Sequence, residues 1–135
     1  MIYSYQFMDI KMKDLVFVID DQECFRESCE LEFGDDFDVK SSSNLDEFEE
    51  KFGPVIKDAT AIIVDNRLGR HVTLGSGFSE RVKSKFKFNG KMILFSVSTE
   101  FDKGSVDMDE LQKYDAIWDK EFDISLTNLN RVLRG

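Results

Sequence analysis

A run of five apolar residues, Leu15-Val16-Phe17-Val18-Ile19, stops on two adjacent carboxylates, Asp20 and Asp21. Such a β-branched and aromatic run is short for a helix and reads as a strand covered on both faces. A strand of that kind belongs to a parallel sheet flanked by helices, so strand and helix patterns should alternate along the rest of the chain. The acids that end it cannot be core. In an open parallel α/β sheet, ligands bind at the C-terminal ends of the strands. Taken alone, the pair has a second reading, because Asp is a good helix N-cap and a helical pattern follows.

The alternation is present. After Asp21, Phe25, Cys29 and Phe33 recur at four-residue spacing on one helical face, and Gly34 supplies the stop. Phe37 to Ser41 alternates like a short strand, and Asn44 with Glu47 offers a capping box into a helix around Phe48 and Phe52 that ends at Gly53-Pro54. Ala59 to Val64 is a second apolar run that meets an acid, Asp65. A polar, glycine-punctuated loop, Asn66 to Gly77, leads to a helix carrying Phe78, Val82 and Phe86, and Lys91 to Val97 forms another strand with Ser96 near its end. A helix within Thr99 to Tyr114, capped by Asp107 with Glu110, precedes a weak strand, Ala116 to Trp118, that ends at Lys120. From Asp123 the spacing of Leu126, Leu129, Val132 and Leu133 predicts the closing helix. The sum is five strands and five helices, an α/β chain with right-handed βαβ units and a parallel sheet covered on both faces.

Composition narrows the partners. At 135 residues the chain suits one domain, and 18 basic against 27 acidic side chains give a net charge of −9, which opposes binding to nucleic acid or to an anionic membrane surface. No apolar segment reaches the ~20 residues of a membrane span, and no basic n-region and apolar h-region open the sequence, so a cytoplasmic protein is expected. Cys24 and Cys29 do not form a CxxC pair, and a single histidine, His71, leaves too few ligands for a zinc site. Reduced, partly buried thiols are expected. Residues 1–13 form an N-terminal extension whose patchy apolar pattern fits an extra strand, an ordered arm, a homodimer contact or an over-long start, since Met8 and Met12 are also possible initiators, and residues 14–135 form the domain proper. The acid-rich region from Gln22 to Glu50 and the basic stretch from Arg81 to Lys91 read as solvated helix faces.

Four strands thus deliver polar groups to one edge: Asp20 and Asp21, Asp65, Ser96 and Lys120. This set resembles the receiver domain of bacterial two-component response regulators, over nearly the whole chain from about Asp14. In that family an acid pair follows the first strand, the phosphorylated aspartate ends the third, Ser or Thr ends the fourth, and Lys ends the fifth. The resemblance implies a flavodoxin-like (βα)5 doubly wound sheet of strand order 2-1-3-4-5, which makes the first and third strands neighbours and brings Asp21 beside Asp65. It also implies Asp65 as phosphoacceptor, Ser96 and Lys120 as its partners on the phosphoryl group, and Mg²⁺ held by Asp21, Asp65 and the backbone carbonyl of Arg67, with Asp20 acting through water. The donor would be the phosphohistidine of a histidine kinase or phosphotransfer protein. The surface around the fourth helix, fifth strand and fifth helix would be read by a downstream protein. The chain would catalyse only its own phosphorylation and dephosphorylation, as a stand-alone receiver with no output domain.

Elementary physics supports these residue types. Two carboxylates about 4 Å apart repel by roughly 4 kcal/mol at an effective dielectric near 20, and a cation or a proton must offset that. All-oxygen ligands at a small site favour Mg²⁺. Carboxylates are established nucleophiles, and phosphoryl transfer asks chiefly for positioning and charge neutralisation.

Several positions depart from the family pattern. Glu121 stands where most receivers have Pro after the Lys, Ile117 replaces the usual aromatic and has Trp118 beside it, and the loop from Asp65 to Gly77 is longer and contains His71. Arg67 and Ser98 occupy positions that tune phosphoryl lifetime in the family. These departures motivate an alternative, a receiver-like scaffold that binds a partner without phosphorylation. A haloacid-dehalogenase-type phosphatase would space its acids Asp-x-Asp, unlike Asp20-Asp21, and a flavin phosphate would not be cradled by two anions.

Overall fold

The computed structural model describes residues 12–66, 77–96 and 112–135. Five parallel strands form one sheet in the order β2-β1-β3-β4-β5: β1 Asp14–Ile19, β2 Phe37–Ser42, β3 Ala61–Asp65, β4 Lys91–Ser96 and β5 Ala116–Asp119. The expected strand order is therefore the observed one. Four α-helices are described, α1 Glu23–Phe33, α2 Leu45–Phe52, α3 Phe78–Ser84 and α4 Leu126–Arg134. The helix expected between β4 and β5, with Asp107 and Glu110 at its start, falls in 97–111, outside the described residues. So do the 1–11 segment and the loop containing Arg67 and His71.

The central strands β1, β3 and β4 are mainly apolar because both faces are covered, whereas the edge strand β2 carries Asp38 and Lys40 and the edge strand β5 exposes Ile117. Phe17, Ile19, Ile62, Val64, Met92 and Leu94 face Phe48 of α2 and Phe78 and Val82 of α3. The alternate residues, Val16, Val18, Ile63, Ile93 and Phe95, face Cys29 and Phe33 of α1 and Leu129 of α4. Period-two alternation along each strand thus builds two separate cores. Aromatic rings fill both: Phe17 meets Phe48 edge-on at 5.1 Å, and Trp118 packs against Phe95 at 6.0 Å and Phe33 at 6.1 Å.

Local chemistry sets the helix ends. Asn44 Oδ1 accepts the Glu47 N–H at 2.8 Å, as the capping pattern predicts, but the Glu47 carboxylate reaches back to the Ser43 hydroxyl at 2.9 Å. The α-helix ends at Phe52, as expected, and Pro54 then starts a 3₁₀ turn over Gly53–Asp58 that buries Ile56. Ser125 Oγ accepts the Asn128 N–H at 3.0 Å and opens α4 later than the Asp123 start read from periodicity. Phe86 lies past the end of α3. Gly34 stops α1 without a left-handed turn: its φ is −64°, and a side chain there would overlap the Glu30 carbonyl oxygen. Close approach, not conformational freedom, demands glycine at this position.

Candidate phosphoacceptor site

The C-terminal ends of β1, β3, β4 and β5 lie side by side, and the expected polar residues occupy them. Asp20 follows β1 and is held from several directions. Its N–H donates to Ser42 O at 3.1 Å, its Oδ1 accepts the Gln22 N–H at 2.9 Å, and its carbonyl accepts from Arg26 Nη1 at 2.6 Å. The helix-cap reading is thus corrected. Asp20 binds the backbone of the β1–α1 turn with one oxygen, but α1 starts at Glu23 and the other oxygen points across the sheet edge. That edge is crossed by Lys120, which follows β5 and places Nζ 2.9 Å from Asp20 Oδ2 and 3.0 Å from Asp65 Oδ2.

All three side chains of this bridge are buried: Lys120 is 5 % exposed, Asp20 0 % and Asp65 3 %. Burial raises the Asp20 carboxyl above its ordinary value, against the pull of the Gln22 N–H and Lys120, and Asp21 adds to the rise. Burial also works against the Lys120 ammonium, but contact with Asp20 and the charges of Asp65 and Asp20 outweigh it and hold the group above the usual lysine value. One ammonium is thus set between two buried carboxylates and offsets one of their two negative charges.

Asp21 is exposed at the rim, and carboxylate oxygens of Asp20, Asp21 and Asp65 lie within 4.8 Å of one another. The adjacency of β1 and β3, with Val18 opposite Ile63 and Ile19 opposite Val64, brings them together. This donor set fits a small hard cation: three carboxylates converge, one of them facing water and two of them buried beside Lys120. Asp21 and Asp65 could ligate directly, with Asp20 behind them; Arg67 lies outside the described residues.

Ser96 is fully buried at the end of β4, the strand between those that carry Asp65 and Lys120. Its carbonyl accepts the Lys120 N–H at 3.0 Å, and the neighbouring Phe95 carbonyl accepts the Asn66 N–H at 2.8 Å, which extends the pairing past both site residues. Beyond Lys120 the peptide bond to Glu121 is trans. Two aspartates shape this turn in place of proline: Asp119 Oδ1 accepts the Glu121 N–H at 2.8 Å, and Asp123 Oδ2 accepts the Asp119 N–H at 2.7 Å. Ile117 is exposed, whereas Trp118 is turned inward.

Two neighbours of the site carry no signal in the motif spacing. Arg26 pins the Asp20 carbonyl, and the Phe25 ring lies 4.6 Å from Lys120 Nζ. Phe25 shares a four-residue spacing with Cys29 and Phe33. Yet each such step advances about 40° round a helix, so Phe25 lies about 80° from Phe33 and leaves the core stripe.

Compared by sequence, the chain matches no protein-family model and no curated protein. Compared by structure, it is similar to a response regulator receiver domain protein from Clostridium thermocellum, with a TM-score of 0.68, 14 % identity, and 90 % of this chain and 91 % of the other covered. The chemotaxis response regulator CheY4 of Vibrio cholerae aligns with a TM-score of 0.66 and 20 % identity over 90 % of this chain and 99 % of its own. An adenylate cyclase from Rhodopirellula baltica aligns at 0.64 and 11 % identity, over 91 % of this chain and 86 % of that one. Most of the similar structures are receiver domains, and the chain has the five-stranded, doubly wound fold of a response regulator receiver.

Proposed function

We propose that this chain is a phosphoacceptor of a two-component or phosphorelay system, with Asp65 as the accepting group. The observation that carries the reading is the buried Lys120 ammonium set between Asp20 and Asp65, beside the exposed carboxylate of Asp21. A structural ion pair needs one acid and one base. Here a third and a fourth charge converge on a strand-end site where sheets of this type bind ligands.

An Asp65 carboxylate oxygen attacks the phosphorus of a phosphohistidine. The P–O bond forms as the P–N bond breaks, and the histidine nitrogen keeps the electron pair and takes up a proton. Asp21, Asp65 and the carbonyl of Arg67 would hold Mg²⁺, with Asp20 acting through water, and the ion would neutralise charge on the phosphoryl oxygens. Lys120 moves its ammonium from the Asp65 carboxylate to a phosphoryl oxygen, and Ser96 donates its hydroxyl to another. The phosphoryl group adds about two negative charges beside Ser96 and Lys120, and this change biases the surface at β5 and the elements next to it. A histidine kinase or phosphotransfer protein would be the donor and a downstream protein the reader. Residues 1–13 form an extension to the receiver unit of 14–135, with a homodimer contact as one role. Among the described residues no helix is long and apolar enough to cross a membrane, and we assign the protein to the cytoplasm.

Titration with beryllofluoride and Mg²⁺, followed by NMR, tests the site: resonances of Asp65, Ser96 and Lys120 should move together. A spectrum that stays unchanged would refute the assignment. The exposed Ile117, in place of the family aromatic, favours the scaffold reading as the alternative. Partner affinity that is the same for wild type and Asp65→Asn would establish it.

A further inference from the structure

Lys120 meets a third group besides its two carboxylates. The Phe25 ring, from the first turn of α1, has its centroid 4.6 Å from Nζ, well within the range at which a cation is held by an aromatic face. Resting on the phosphoacceptor reading, we infer that Phe25 is a positioning residue that holds the Lys120 ammonium in line for the phosphoryl group.

A lysine ammonium has three N–H donors on a flexible four-carbon stem. Asp20 Oδ2 and Asp65 Oδ2 occupy two directions, and the ring face takes a side that water would otherwise fill. When Asp65 carries a phosphoryl group, Lys120 gives up its contact with that carboxylate. Asp20 and Phe25 are then the groups that keep Nζ at the strand ends. The attraction of a cation to a ring face depends on distance more than on one hydrogen-bond angle, so Nζ can swing between the carboxylate and a phosphoryl oxygen without leaving it. The need is marked in this chain. The turn after Lys120 is shaped by Asp119 and Asp123 through backbone N–H groups, and neither bond reaches the lysine side chain.

Phe25→Leu keeps an apolar side chain of similar bulk and removes the ring; Phe25→Tyr keeps the ring. Without metal or phosphodonor, the Lys120 ε-methylene protons should be shifted upfield by the ring in wild type and Phe25→Tyr, and that shift should vanish in Phe25→Leu. With a small phosphodonor and Mg²⁺, Phe25→Leu should be phosphorylated roughly threefold to tenfold more slowly, at an unchanged half-saturating Mg²⁺ concentration, and Phe25→Tyr should match wild type. A Phe25→Leu protein with the wild-type rate, or a Phe25→Tyr protein as slow as Phe25→Leu, would overturn the inference and leave the phosphoacceptor reading intact. A wild-type protein that takes no phosphoryl group would overturn both. Unfolding of each variant, followed through Trp118, separates a positioning defect from a folding one, and a Phe25→Leu rate defect that scales with lost stability would count against positioning.

Discussion

Replacing Lys120 by Met should be costly. The substitution keeps an unbranched apolar stem and removes one charge from between Asp20 Oδ2, 2.9 Å away, and Asp65 Oδ2, 3.0 Å away. Each contact corresponds to a Coulomb attraction of about 5–6 kcal/mol at an effective dielectric near 20, but the desolvation of three groups cancels much of it. The net loss expected on breaking such a buried pair by removing one partner is about 3–5 kcal/mol, a large share of the 5–15 kcal/mol typical of a domain. Urea unfolding at pH 7 reads this directly through the lone tryptophan, Trp118, which is buried between Phe33 and Phe95. With a slope of about 2 kcal/mol/M, the midpoint should fall by about 1.5–2.5 M. The loss should shrink on acidification. Asp20 already binds its proton more tightly folded than unfolded, and without Lys120 it does so more strongly, so Lys120→Met recovers stability relative to wild type as pH falls through the carboxylate range. A loss under about 1 kcal/mol, or one equally large at acid pH, would refute the view that Lys120 is the counter-charge of two buried carboxylates.

Other consequences follow from single observations. Burial, reinforced by Asp20 and Glu30, pushes the Cys29 thiol up from 9.0 to about 12. The folded state thus keeps a proton that the unfolded chain releases, and stability should fall as pH rises above 9, by about 2 kcal/mol at pH 10.5. Cys29→Ala should lose that slope in urea titrations across this range. One thiol, the exposed Cys24, should react quickly with a thiol reagent in the native protein and both after unfolding. Gly90→Ala would drive a methyl group into the Thr60 carbonyl at the start of β3, so thermal unfolding should show a loss of about 2–3 kcal/mol. Ser125→Ala leaves the Asn128 N–H without its cap and should cost about 1 kcal/mol in the same assay.

The sheet was legible because buried parallel strands must be apolar throughout, and the runs at Leu15, Ala59 and Lys91 stand out for that reason. Asn44 was legible because a cap is a local event over three residues. Strand order, and with it the meeting of Asp21 and Asp65, came from the resemblance to receivers, since periodicity says nothing about which strands are neighbours. Contacts between groups far apart in sequence were opaque for a related reason. Nothing in the spacing of Phe25 places it on Lys120, nor that of Arg26 on the Asp20 carbonyl. The Asp119–Asp123 turn is local, yet spacing alone does not distinguish two carboxylates that accept backbone N–H groups from two exposed acids. Gly34 was legible as a helix stop, but the reason for glycine there, clearance of the Glu30 carbonyl, is visible only in the structure.

Intact-mass analysis after treatment with a small phosphodonor and Mg²⁺ tests the phosphoacceptor claim most directly. Wild type should gain the mass of one phosphoryl group and Asp65→Asn none. A wild-type protein that gains nothing, or an Asp65→Asn protein that gains as much, would contradict it.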